Sequence, residues 1–222
     1  MRTVEGAASR LKPGRSRRGA ALPRLWLFSD PARLPDPRPA AAGLPRGGGV
    51  VARGLPPALL GEMARLGRRR RLVLLLGAAP RPALAWRAGL HWPDRPATSA
   101  LLPFLLARRA GRPGAFLSVA AHGPAGLRRA RRLGADLVFL SPIFPTPSHP
   151  GAPALGPWRW SALARRAGRP VAALGGVTAA TARQVPPPAC GLAAITALLP
   201  PRHSVSRKSR SAFTEHCRAS AG

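Results

Sequence analysis

Residues 170–199 read PVAALGGVTAATARQVPPPACGLAAITALL. An apolar run at 171–174 stops at Gly175–Gly176, a helical segment is predicted over 179–185, and a second apolar run follows at 192–195. Strand, crossover and strand in that order, with both strands apolar on both faces, describe a parallel βαβ unit buried under helices.

The same alternation extends outward from this unit. Further strands are predicted at 25–29, 49–53, 72–76, 89–92, 116–120 and 137–140. Helices are predicted at 57–69, 81–88, 98–109, 124–133 and 157–167, and a poorly formed one at 31–44, where Pro31, Pro35, Pro37 and Pro39 oppose it. Eight strands alternating with helices predict an α/β fold, a compact (β/α)8 TIM barrel. The barrel would occupy 24–200, a span below the usual ~200 residues, so an open sheet of six or seven strands is the structural alternative. The flanks, 1–23 and 201–222, are basic and lack sustained apolar periodicity. They are expected to be disordered tails, with a weak helix in the second.

Lys and Arg total 36 against 7 Asp and Glu, a net charge of +29. Such charge ordinarily points to a polyanion partner. Here the lysines are only Lys12 and Lys208, Tyr is absent, and Ala, Gly, Pro and Arg abound, so biased coding composition explains the excess. The basic residues form no stripe interleaved with aromatics, and no specific nucleic-acid binding is expected. Seven carboxylates leave little material for a paired-carboxylate mechanism or an all-protein calcium cage. Cys190 and Cys217 lack metal-ligand spacing. Free thiols, no ~18-residue apolar span and no signal-peptide core lead to the expectation of a cytoplasmic protein without membrane contact.

Chemistry-bearing residues gather where the predicted strands end, which in a barrel is the catalytic face. Gly175–Gly176 lets backbone approach a ligand, and Thr178 is positioned to cap the next helix, whose N–H groups favour phosphate. Ile195–Thr196, ending the next strand, could meet the same anion. The competing reading is that the two glycines only relieve crowding in a tight turn. The stretch LVFLSPIFPTPSHPG at 137–151 runs a buried strand into a proline-stiffened loop carrying Thr146, Ser148 and His149, whose hydroxyls could hold an anion. An ordinary proline-rich loop is the alternative.

The run GADLVFLSPIFPTPSHPGAPALG at 134–156, with PVAALGGVT at 170–178 and GLAAITALL at 191–199, resembles the thiamine phosphate synthase family and its TenI thiazole tautomerase relatives. The resemblance extends back through AHGPAGLRRARRLGAD (121–136) and RAGLHWPD (87–94) to LWLFSD (25–30). It implies a (β/α)8 barrel and a transferase of thiamine biosynthesis that joins a hydroxymethylpyrimidine pyrophosphate to a thiazole phosphate with Mg²⁺, releasing pyrophosphate. The same resemblance assigns Gly175, Gly176, Ile195 and Thr196 to the thiazole phosphate, and Arg53, Thr146, Ser148 and His149 to pyrophosphate. Arg53 and His122 fall at catalytic positions and Asp94 at a metal position; His91 matches a polar residue of the barrel mouth. On the pyrophosphate side this chain departs from the family pattern at Val51, Leu55, Leu76–Gly77, Ala120 and His149, and on the thiazole phosphate side Thr196 replaces the usual Ser. Weakened coupling is therefore expected. A thiazole tautomerase-like isomerase using His122, a non-catalytic thiazole or phosphate-binding barrel, and a non-specific polyanion binder remain alternatives.

Overall fold

The computed structural model describes residues 3–146 and 153–198. Eight parallel strands close into a barrel in sequence order: β1 (Leu25–Phe28), β2 (Gly49–Ala52), β3 (Val73–Gly77), β4 (Gly89–Trp92), β5 (Leu117–Ala121), β6 (Leu137–Leu140), β7 (Val171–Leu174) and β8 (Ala189–Ala194). Closure is made by β1 pairing β8, with Leu25 opposite Leu192. The closed barrel, rather than the open sheet, is therefore the fold. It fits a short chain because its crossovers are small. The helices are α1 (Val4–Ala8), α2 (Arg38–Ala42), α3 (Pro57–Arg70), α4 (Pro80–Ala85), α5 (Leu102–Arg109), α6 (Pro124–Arg132) and α7 (Gly156–Arg165).

Two segments differ from the helical reading. Residues 98–109 divide into a 3₁₀ turn, Ser99–Leu101, and α5, with Pro103 in its first turn. Over 179–185 only a 3₁₀ turn forms, Ala182–Gln184. There the Thr181 hydroxyl donates to the Gly176 carbonyl at 2.7 Å, and the Thr181 N–H donates to Thr178 Oγ1 at 3.3 Å. Thr178 therefore holds the turn leading to Thr181, which occupies the N-cap of the 3₁₀ turn, and Pro186–Pro188 prevent its extension.

The barrel interior is filled by Trp26, Phe28, Val51, Leu75, Leu137 and Phe139. Phe139 meets Trp26 and Phe28 edge-on, at centroid distances of 5.2 and 4.8 Å. Gly49 stands opposite Trp26 in the β1–β2 register, and a Cβ there would lie 2.1 Å from the indole. The other face of the strands packs against the helices through Leu27, Leu90, Leu117 and Leu140, with Met63, Phe104 and Trp160. These apolar strands are buried on both faces, which is the physical origin of their continuous apolar runs.

The expected disordered tail over 1–23 is corrected for its described residues. Thr3 caps α1 by accepting the Gly6 N–H at 3.0 Å, and Val4, Ala7 and Ala8 are buried against β8 and the Ala182–Gln184 turn. Their i, i+3, i+4 spacing is an amphipathic signal too short to stand out among basic residues. Further on, the Arg17 N–H donates to Asp136 Oδ1 at 3.1 Å, and Leu22 covers Cys190 at the barrel floor. Cys190 is a buried free thiol whose pKa burial pushes up to about 11. The second tail, 201–222, with Cys217, lies outside the described residues. Among the described residues no helix is long and apolar enough to cross a membrane.

Candidate active site at the barrel mouth

Arg53, just beyond β2, is locked to the end of β1. Its N–H donates to Ser29 Oγ at 2.6 Å, the Ser29 hydroxyl donates to the Arg53 carbonyl at 2.9 Å, and its Nε donates to the Ser29 carbonyl at 3.0 Å. Its guanidinium donates to Asp30 Oδ2 at 3.4 Å and lies 5.2 Å from the centre of the Phe28 ring. Burial lowers the guanidinium pKa, and the Asp30 charge opposes that shift. Asp30 is itself held down to about 2, chiefly by hydrogen bonding to Arg33. The Arg53 side chain crosses Gly77, where a Cβ would come within 2.8 Å of Arg53 Cγ. One departure from the family pattern, Leu76–Gly77, thus provides the space that this arginine occupies.

His91 lies deeper than the mouth position implied for it. The ring is buried between Phe28 and Phe139, each 5.4 Å away, and Nδ1 is 2.9 Å from Ser118 Oγ. Burial, with a smaller contribution from the Arg53 charge, pushes its pKa down to about 3. Neutral and enclosed, it is a polar core residue that cannot exchange protons with a ligand at the mouth. Ser118 was not recognised from sequence. Its signal is register alone, since His91 and Ser118 are cross-strand partners in β4 and β5.

The ends of β7 and β8 lie side by side, with Leu174 opposite Ala193. Gly175 and Gly176 follow Leu174 at φ 92° and 65°. Both are crowded by the loop leaving β6. The Ile143 N–H donates to the Leu174 carbonyl at 3.0 Å, and the Phe144 N–H donates to the Gly175 carbonyl at 3.1 Å. A Cβ on Gly175 would stand 2.7 Å from Pro142 Cα, and one on Gly176 would stand 2.5 Å from the Pro145 carbonyl oxygen. Relief of crowding is therefore a sufficient reason for both glycines. The Gly176 and Thr196 N–H groups nevertheless find no acceptor among the described residues. Thr196 is exposed and Ile195 half-buried beside them. Thr146 is half-buried at the end of the described β6 loop, whereas Ser148 and His149 lie outside the described residues.

His122 and Asp94, assigned separately to catalysis and to metal, come together. Asp94 Oδ2 accepts both the His122 backbone N–H and His122 Nδ1, each at 2.9 Å, and Oδ1 accepts the Arg129 guanidinium. The carboxylate is mostly buried, while the imidazole is 52% exposed. Asp94, expected at a metal position, is engaged here by three donors, two on Oδ2 and one on Oδ1. Asp30 is engaged the same way by Arg33 and Arg53. Among the described residues no three His, Cys, Asp or Glu side chains converge. The side chains described here do not fit Mg²⁺, a hard cation that demands near-octahedral oxygen ligands.

The thiamine monophosphate synthase family (TMP-TENI) matches residues 58–198. A putative thiamine-phosphate synthase 2 of Aquifex aeolicus (strain VF5) is 32% identical over 118 residues, which are 53% of this chain and 60% of that protein. The match thus spans less than two thirds of that relative's length. Among solved structures, thiamine phosphate pyrophosphorylase from Pyrococcus furiosus superposes with a TM-score of 0.62 at 21% identity, over 78% of this chain and 85% of the other. The 2-keto-3-deoxy-6-phosphogluconate aldolase of Zymomonas mobilis ZM4 superposes with a TM-score of 0.53 at 15% identity, over 87% of this chain and 85% of its own. At these identities the superpositions show the barrel fold alone.

Proposed function

The chain belongs to the thiamine monophosphate synthase family, and on that premise we propose that it joins a hydroxymethylpyrimidine pyrophosphate to a thiazole phosphate. The carrying observation is the pair of unsatisfied N–H groups, Gly176 and Thr196, at the adjoining ends of β7 and β8. Backbone donors without internal partners suit a phosphate, and anion sites after the seventh and eighth strands recur in barrels of this kind. In this reading the thiazole phosphate is anchored there by Gly175, Gly176, Ile195 and Thr196. Arg53, with Thr146, Ser148 and His149, faces the pyrophosphate. The C–O bond to pyrophosphate breaks, pyrophosphate leaves with both electrons, and the thiazole nitrogen lone pair forms the new C–N bond. The protein contributes positioning and stabilisation of the leaving charge. At the mouth, Asp30 is held by Arg33 and Arg53, and Asp94 by His122 and Arg129. A cytoplasmic setting among small phosphorylated metabolites accords with this reading.

The test is thiamine phosphate formation by the purified full chain from both substrates, with and without Mg²⁺. Slow turnover that falls further in Arg53→Met supports coupling. Thiazole phosphate binding without any product would leave a binding or isomerising barrel. The exposed His122 imidazole, oriented by Asp94, specifically favours isomerisation as the second reading.

A further inference from the structure

We propose that Asp94 is the positioning residue of His122, fixing the Nδ1–H tautomer so that Nε2 is presented as a proton acceptor at the barrel mouth. The inference deepens the isomerising reading and rests on it for the role of His122, although the arrangement of the pair can be measured without any activity.

Three elements converge on one carboxylate. The loop after β4 supplies Asp94, the end of β5 supplies His122, and α6 supplies both space and counter-charge. Space comes from Gly126, where a Cβ would lie 2.9 Å from Asp94 Oδ1. The counter-charge is Arg129, one turn further along α6, whose guanidinium donates to that same oxygen. The second oxygen accepts the backbone N–H of His122 as well as Nδ1, both at 2.9 Å. The backbone bond fixes the start of the loop, and the side-chain bond fixes the ring upon it.

An ionised carboxylate can only accept, so Nδ1 must carry the hydrogen, and the lone pair of the neutral imidazole falls on Nε2. No partner for Nε2 is present among the described residues, and the ring is 52% exposed. A base oriented by a buried acceptor, with its other nitrogen free, is the arrangement by which a histidine moves a proton on a bound substrate. In an isomerisation Nε2 would take a proton from one substrate atom and return it to another, which leaves atoms and charge balanced over the cycle.

The experiment uses the full chain labelled with ¹⁵N-histidine, with ring nitrogens read by multiple-bond proton–nitrogen correlation and His122 assigned from His122→Gln. At alkaline pH, the wild-type His122 is expected to show a protonated Nδ1 and an unprotonated Nε2. Asp94→Asn retains an acceptor for the backbone N–H but adds a donor, and should move the ring toward the Nε2–H form. An Nε2–H tautomer in the wild type, or a tautomer unchanged by Asp94→Asn, overturns the proposal. MnCl₂ serves as a second probe. Stoichiometric broadening of the His122 ring signals would return Asp94 to a metal site, also overturning it, whereas unaffected signals support it. In a thiazole phosphate isomerisation assay, His122→Gln should lose about 10²–10⁴-fold, the usual contribution of a general base. Asp94→Asn should lose at least about tenfold in kcat with little change in KM. The predicted tautomer without isomerisation in any form supports the positioning by Asp94 and overturns only the proton-transfer reading of His122.

Discussion

Gly176 sits directly beneath Pro145: a Cβ on the glycine would stand 2.5 Å from the proline carbonyl oxygen, at a backbone φ of 65°. The β7 turn and the β6 loop are thereby packed backbone to backbone. The Gly176 N–H has no acceptor among the described residues.

Gly176→Asp is therefore expected to fail twice. The left-handed conformation disfavours a residue with a Cβ, though Asp less than most, and the clash with the Pro145 carbonyl is the larger obstacle. The added carboxylate also repels a phosphate. Calorimetry should show lost thiazole phosphate affinity together with a lower melting temperature. Retained affinity would remove the anion from this turn.

His91 makes stability depend on pH. The folded chain holds its pKa at about 3, against an ordinary value of 6.5. Between these values the unfolded chain binds more protons, so the stabilisation is complete above about pH 6.5 and declines as pH falls toward 3, by up to about 1.4 kcal/mol per pH unit. Asp30, depressed from 3.8 to about 2, contributes its own loss as pH falls through that lower range, overlapping the His91 window only at its acid end. Urea unfolding at pH 7 and pH 5 measures the His91 effect, and His91→Gln should flatten it. An unchanged slope in that variant would contradict the buried, neutral assignment.

Asp136 ties the amino-terminal segment to the barrel. It accepts the Arg17 N–H at 3.1 Å, the Leu117 N–H at 2.9 Å, and two donors of Arg108 at 2.8 and 3.0 Å. Asp136→Ala leaves a partly buried guanidinium unpaired and should cost about 3–5 kcal/mol in denaturant unfolding. Deleting 1–22 should uncover Cys190, seen as faster alkylation of its peptide by mass spectrometry. Alkylation at the full-length rate would mean that this segment does not cover the floor.

Restoring family-like groups on the pyrophosphate side should raise coupling. One missing transition-state donor typically costs about 10²–10³ in rate, and such losses need not add. Ala120→Ser combined with His149→Lys is expected to accelerate thiamine phosphate formation while leaving thiazole phosphate affinity unchanged. Rapid turnover by the natural chain would show that other residues compensate for these positions.

The charge of +29 should produce only weak, sequence-independent DNA binding that fades steeply with salt, because phosphate contacts carry no base information. A single tight, sequence-dependent complex at physiological salt would contradict this.

Local pattern was enough for the eight strands, which lie within three residues of their predicted bounds, because strands buried on both faces read as unbroken apolar runs. The GG turn and the β6 loop motif were also readable, as contiguous residues. Eight predicted strands already pointed to a barrel, and the pairing of β1 with β8 is what excludes the open sheet that the short span also allowed. Tertiary structure alone folded the basic amino-terminal segment onto the barrel, where long-range contacts with β8 and Asp136 outweigh a weak local signal. His91 and Ser118 are 27 residues apart, and Asp94 and His122 are 28 apart. Such pairs form only when neighbouring strands take their register, so neither the burial of His91 nor the sequestering of Asp94 was contained in local spacing.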